Sequence, residues 1–205
     1  MNAWNTNNYL NVWITQITSG YLGISTFPAD GDSANQGIMI DYRSLPGGSY
    51  TNYNFGKTLT HEIGHYFNLY HIWGDDGGSC SGTDYVNDTP NQGNFTSGGP
   101  SGVVTDACTT TSPGILYQDY MDYTYDKMLV MFTTEQVARM QAAATAYRLS
   151  LFTSPGATPP NLKTYDARIK SITQPAIRIC SSSCQSCEST ILTGSSGLYN
   201  PTDWD

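Results

Sequence analysis

The 205-residue sequence predicts an α+β domain, and three observations carry that expectation. Short strand-like runs crowd the chain before Tyr42. Around His61 the apolar residues change to helical spacing. A second helical stretch then follows a long interval rich in Gly, Ser, Thr and Asp.

The strands come first. Tyr9–Ile17 (YLNVWITQI) alternates Leu10, Val12 and Ile14 on one face and reads as a strand. Leu22–Phe27 (LGISTF) is a shorter one, stopped by Pro28. Ala29–Gln36 is a polar loop, Gly37–Tyr42 (GIMIDY) a third strand, and Leu45–Asn54 a turn-rich connection.

The next stretch, HEIGHYFNLYH at His61–His71, holds all three histidines of the chain. Leu59, Ile63, Tyr66, Phe67 and Tyr70 recur at helical spacing, and Thr58 or Thr60 is a candidate cap. Residues four apart share a helix face, so His61 and His65 can aim at one ion. A catalytic zinc takes three protein ligands and keeps one position open, and His71 is the third. The pair alone also reads as two half-buried helix histidines, but the third at this spacing favours metal. For His71 to swing under the ion the chain must turn sharply. Asn68, midway, is the residue that tolerates positive φ there. Glu62 then stands where a general base for the attacking water belongs.

Gly74–Gly114 is long and lacks periodicity, so it needs bracing. Cys80 and Cys108 are either a disulfide closing it or two free thiols. Within it, DYVNDTP offers Asp84, Asp88 and Thr89 as oxygen donors for calcium, or as Asx-type turn and capping residues. Thr133 to Gln136 (TTEQ) reads as a capping box. Val137, Met140, Ala144, Tyr147 and Leu151 continue the helix, which ends at Ser154-Pro-Gly156.

The expected organisation is a domain at 1–154 and a linker plus partial cysteine-containing region at 155–205. ATPP marks the linker and Ile169–Ile179 is strand-like. Cys180, Cys184 and Cys187 have the spacing of a radical iron–sulfur site, but the tail is far too short for the barrel such enzymes need. With Cys80 and Cys108 they make an odd total, so one thiol is left over or pairs outside the chain.

Charged residues are 13% and the net charge is −8. From His61 to Asp126 there are nine acidic residues and no Lys or Arg. That imbalance argues against nucleic acid and for bound cations or a basic ligand. No apolar run is long enough to span a membrane. MNAWNTNNY has neither the basic start nor the apolar core of a signal peptide. The cysteines nevertheless point to an oxidising compartment, so the expectation is a piece of a secreted protein whose signal lies outside it.

HEIGHYFNLYHIWGD at His61–Asp75, DYVNDTP at Asp84–Pro90 and DYMDYTYD at Asp119–Asp126 together resemble the pappalysin-like metzincins, over roughly Leu10 to Leu151. Asn68 departs from their signature, which has glycine there. The resemblance implies an upper mixed sheet, an active-site helix, a Met-turn and a C-terminal helix. It places the start of that fold, and an inhibitory propeptide, outside this chain. It implies zinc on His61, His65 and His71, Glu62 as base and then acid, and Met121 as an apolar floor beneath the metal. It implies Tyr123 as oxyanion donor, against a packed core tyrosine. It implies Asp126 at the base of the pocket for the residue after the scissile bond, against a plain surface aspartate. It also implies a Cys80–Cys108 disulfide, calcium near DYVNDTP, and an edge strand at Leu22–Phe27 that pairs with substrate backbone. The expectation is a monomeric secreted endopeptidase cutting peptides before Arg or Lys.

Other readings are weaker. A thermolysin-type site needs a glutamate ligand downstream, and none lies between Glu62 and Glu135. A zinc enzyme acting on a non-peptide bond leaves the strand edge and Asp126 unexplained. A non-catalytic calcium-dependent binding or adhesion module would be expected to have lost the base or a ligand, and all four are present.

Overall fold

The computed structural model describes residues 3–30 and 34–154. The tail with Cys180, Cys184 and Cys187, the ATPP linker and the boundary expected at 154/155 lie outside or at the limit of the described residues. Strands β1 (Asn11–Thr15), β2 (Gly23–Ser25) and β3 (Gly37–Asp41) form one sheet in the order β1-β3-β2. β1 runs parallel to β3 and β2 antiparallel to it, so the sheet is mixed. Among the described residues β2 is an edge, with one side free for pairing.

A 3₁₀ turn at Tyr42–Ser44 leads from β3 toward helix α1 (Lys57–Tyr66). Its entry is held by Asp41, which accepts from the Arg43 backbone and pairs with the Arg43 guanidinium. Helix α1 packs on β2 and β3. Ile38, Ile40 and Tyr66 are fully buried between them, with Leu10, Leu45, Leu59, Ile63, Phe67 and Leu151 around. That cluster fixes the helix beneath the sheet edge, and its burial is the main driving force for the upper half.

Two short strands, β4 (Ser97–Gly98) and β5 (Tyr123–Thr124), pair in parallel and tie the long loop to the segment after Met121. Helix α2 (Thr134–Tyr147) starts with the expected capping box: Thr133 Oγ1 accepts from Gln136 N and Gln136 Oε1 accepts from Thr133 N. The helical run then breaks at Arg148, and a single turn, α3 (Leu149–Phe152), follows. A second core joins Leu69, Ile72, Trp73 and Met121, with Phe132 and Met140 against it.

Three sequence expectations change here. Val12 and Ile14 lie on the same sheet face as Ile38 and Ile40, yet they are 38% and 58% exposed, because α1 covers β2 and β3 rather than β1. Tyr70 falls beyond the end of α1. The cap of α1 is neither Thr58 nor Thr60. Gly56 is the N-cap at φ 82°, and Asp126 Oδ2 accepts from Phe55 N (2.8 Å) and Lys57 N (3.3 Å). A carboxylate brought in from a distant part of the chain does what a local hydroxyl was expected to do.

Candidate metal centre and substrate cleft

Helix α1 presents His61 and His65 one turn apart. The chain then leaves it through a Schellman arrangement, in which Asn68 N donates to His65 O and Leu69 N to Gly64 O. Asn68 takes φ 73°, the left-handed geometry this exit requires. Its carbonyl accepts from Arg139 Nε of α2 (2.8 Å), and Arg139 lies over the rings of Tyr70 and Tyr85. The turn brings His71 back under the helix, where His65 Nε2 and His71 Nε2 are 3.1 Å apart.

Each imidazole is oriented from behind. His61 Nδ1 donates to Tyr120 O (2.7 Å), His65 Nδ1 to Leu69 O (2.8 Å), and His71 Nδ1 to the Asp75 carboxylate (2.9 Å). Carbonyls and carboxylates only accept, so Nδ1 carries the proton in all three rings and Nε2 keeps its lone pair. The three candidate ligand atoms lie within 4.8 Å of one another, the one such group of His, Cys, Asp or Glu among the described residues. Burial, then the neighbouring imidazoles, hold the His61 pKa well below its usual range, and the same causes bring His71 down to about 3. Burial also lowers His65. Three neutral lone pairs facing one another repel unless a cation lies between them. The donor set therefore fits a zinc-type ion, with the partners on Nδ1 that metal-binding histidines usually have.

Asp75 and Trp73 are contributors that the sequence reading did not single out. Trp73 stacks flat on His71, with centroids 4.2 Å apart and planes 7° apart. Asp75, at φ 53°, grips Nδ1 of the same ring. Their positions two and four residues after His71 were the available signal.

Glu62 is buried beside the histidines, and burial raises its carboxyl to about 8. Gly23 of β2 lies directly over it: a Cβ at Gly23 would sit 2.6 Å from Glu62 Cγ. Met121 is fully buried below, and a Cβ at Gly64 would meet its sulfur at 2.4 Å, so glycine on α1 is what lets Met121 approach. Met121 N donates to Asp119 Oδ1 in that turn. The Tyr123 hydroxyl donates to His71 Nε2 (3.0 Å), and burial, then nearby acidic charge, pushes its pKa to about 12, so it keeps its proton.

The three histidines, Glu62 and Tyr123 line a cleft of about 750 Å³ bounded by Tyr21 to Ser25 on one side and by Phe95, Ser97, Asp122, Thr124 and Asp126 on the other. Asp126 is 2% exposed and sits at the start of α1, with Tyr53, Thr58 and Leu129 also lining that end. Its Oδ2 is committed to the two backbone amides, which leaves Oδ1. Lys57 does not compete for it through a direct bond: its Nζ reaches the Tyr120 hydroxyl (3.3 Å).

The acidic excess has a structural use besides the ligands expected of it. Seven of the nine carboxylates accept backbone amides. Asp76 takes those of Gly78, Ser79, Ser81 and Gly82; Asp84 that of Val86; Asp88 that of Glu135. Asp106 takes those of Gly93, Cys108 and Thr109; Asp119 that of Met121; Asp122 those of Thr96 and Tyr123; Asp126 those of Phe55 and Lys57. An irregular loop has no ladder to satisfy its amides, and short carboxylates replace one. Asp88 in addition accepts from Thr133 Oγ1, so it serves the start of α2, whereas Asp84 accepts from Thr89 Oγ1 (2.8 Å). A disulfide joins Cys80 to Cys108, 28 residues apart with Cα atoms at 5.4 Å.

Comparison with known proteins agrees with this geometry. The model of the pregnancy-associated plasma protein-A family matches residues 1–145. An extracellular metalloprotease of Neurospora crassa is 44% identical over 146 residues, covering 68% of this chain and 49% of that protein. One from Arthroderma gypseum is 41% identical over 138 residues, covering 64% and 46%. The chain thus spans about half the length of these relatives. Mature mirolysin of Tannerella forsythia, solved in complex with a cleaved peptide, superposes with a TM-score of 0.70 at 46% identity, covering 73% of this chain and 58% of that one. The chain belongs to the pregnancy-associated plasma protein-A family, the pappalysins, and has their metzincin fold.

Proposed function

We propose that this chain carries the catalytic site of a secreted zinc endopeptidase that hydrolyses peptide bonds before Arg or Lys. The observation that carries the reading is the convergence of three Nε2 lone pairs beside the buried carboxylate of Glu62. Zinc, when bound by His61, His65 and His71, supplies Lewis acidity that activates water and polarises the scissile carbonyl. The edge of β2 takes the substrate backbone as an added strand. Glu62 removes the proton from the attacking water and returns it to the leaving amine. Tyr123, protonated, donates to the carbonyl oxygen as charge develops there. Met121 supports the histidines from below. Asp126 Oδ1 receives the guanidinium or ammonium of the residue after the scissile bond. The cleaved peptide named with mirolysin and the extracellular relatives support the substrate class and the secretion. The division into a catalytic 1–154 and an appended 155–205, and a monomeric state, belong to the same proposal.

Calcium is the second ion of the reading, with Asp84, Asp88 and Thr89 as its oxygen donors. Asp119 is fully buried with Oδ2 lacking a partner, and Asp84 is among the charges that disfavour its ionisation, so this region is short of positive charge.

The test is cleavage of a mixed peptide library by the zinc-loaded protein, read by mass spectrometry beside Glu62→Ala. Cuts before Arg or Lys that vanish in the variant support base and pocket together. Cuts elsewhere that vanish keep the protease and overturn Asp126. No cutting by the folded, zinc-loaded protein overturns the reading. Equilibrium dialysis with calcium, whose binding Asp84→Ala and Asp88→Ala should each weaken, tests the second ion.

A further inference from the structure

One stretch of the cleft wall is aromatic. Phe95 is 48% exposed and lines the cleft. Its ring lies 5.5 Å from Tyr123 and 5.9 Å from Trp73, and Trp73 is the ring stacked on His71. Tyr21, 62% exposed, lines the facing wall before β2.

A half-exposed phenylalanine on a surface loop is ordinary when the loop is free to fold it away. This one is held out. Thr96 N donates to Asp122 Oδ1 (2.7 Å), and Gly93 N to Asp106 Oδ2 (2.7 Å). The fully buried Gln92 donates to Asn94 O, Thr96 Oγ1 and Asp122 Oδ2. Two residues on, β4 pairs with β5, which contains Tyr123. The loop thus presents a ring at a fixed place beside the metal centre, with apolar surface on one flank and open cleft on the other.

We propose that Phe95, with Trp73 and Tyr123 behind it and Tyr21 opposite, forms a second side-chain subsite that takes an aromatic or large aliphatic residue of the substrate. The assignment of side rests on the endopeptidase reading. Asp126 joins the first residue of α1, while Phe95 reaches the metal centre through the ring stacked on His71, beyond the end of that helix. The two subsites therefore flank the scissile bond. With the basic residue after the bond, the apolar residue falls before it. Specificity is then two-sided, acidic on the leaving-group side and aromatic on the acyl side.

The experiment uses the full chain loaded with zinc and peptides that differ only before the cut, carrying Phe, Leu, Ala or Asp, each followed by Arg. In the unaltered protein kcat/KM should favour Phe over Ala by about tenfold or more. In Phe95→Ala that ratio should fall toward one, and Phe95→Leu should restore most of it, with zinc content and Tm confirming intact folding. A ratio unchanged in Phe95→Ala overturns the subsite. Binding of the same peptides to Glu62→Ala, measured by fluorescence polarisation, separates this proposal from the proposed activity. Phe95-dependent preference for Phe peptides without any cleavage by the unaltered protein keeps the subsite and overturns the endopeptidase. No preference in binding or cleavage overturns the subsite alone.

Discussion

The stretch from His61 to Asp75 and the segment from Asp76 to Asp126 both contribute to one cleft, but they are held in different ways. In the first, two of the three bonds that orient the imidazoles are short in sequence, His65 to Leu69 and His71 to Asp75 both four apart, while His61 reaches Tyr120 across 59. In the second they reach far. Thr96 and Gln92 meet Asp122 across 26 and 30 positions, the disulfide closes 28, and Asp126 reaches Phe55 across 71. A helix satisfies its own amides, so its side chains are available for function. An irregular loop has to be given acceptors, and here most of the carboxylates serve as those acceptors before any are left for a ligand.

The comparison can be broken hardest on the helical side. His65→Ala should cost more than about 100-fold in zinc affinity, since losing even an outer partner of a ligand costs about 10–100-fold. Competition with a chromophoric chelator measures it, and the fold should survive. On the loop side the reverse is expected. Cys108→Ser should lower unfolding free energy by about 2–4 kcal/mol, read from urea titration, while the histidine triad still binds zinc. Asp75→Ala lies at the junction of the two regions. Freeing Nδ1 of His71 should weaken zinc about 10–100-fold with little change in Tm, and Asp75→Asn should recover part of it.

Asp119 sharpens the loop side through pH. Burial raises its carboxyl to about 7 from an ordinary 3.8. A raised carboxyl contributes stability that is full below about pH 4 and lost as pH rises through about 7. The metal-free protein should therefore weaken between those values in urea titrations. Asp119→Asn, which keeps an acceptor for Met121 N, should flatten that part of the slope, and so should calcium if it binds nearby. The smallest effect belongs to the turn. Asn68→Gly relieves the left-handed backbone but loosens the unfolded chain, so stability should change by less than about 1 kcal/mol, whereas Asn68→Val should be clearly destabilising.

Much of the helical side was legible in advance, because its signals are periodic and local. HEIGHYFNLYH announces a helix, two residues on one face and a third beyond a turn. Asn68 is the residue in that turn that tolerates φ 73°, and Thr133 with Gln136 announces the cap of α2. The acidic run misled about the backbone of its own loop, for the opposite reason. Composition records that Asp76, Asp106 and Asp122 are charged, but not that backbone amides of their own loop surround them. Val12 and Ile14 misled in the same way, since alternation defines a face and says nothing of what covers it.

The sequence by itself determined the main elements, the triad and the glutamate beside it, because side chains one helical turn apart meet whatever the rest of the chain does. Tertiary structure alone decided the rest. Asp126 caps α1 in place of a threonine, Trp73 stacks on His71, Met121 fits against Gly64, and Phe95 is held out into the cleft. Each of these depends on two segments arriving within a few ångströms after packing. A hydrogen bond or a ring stack carries no signature in the spacing of residues that meet only in the folded chain.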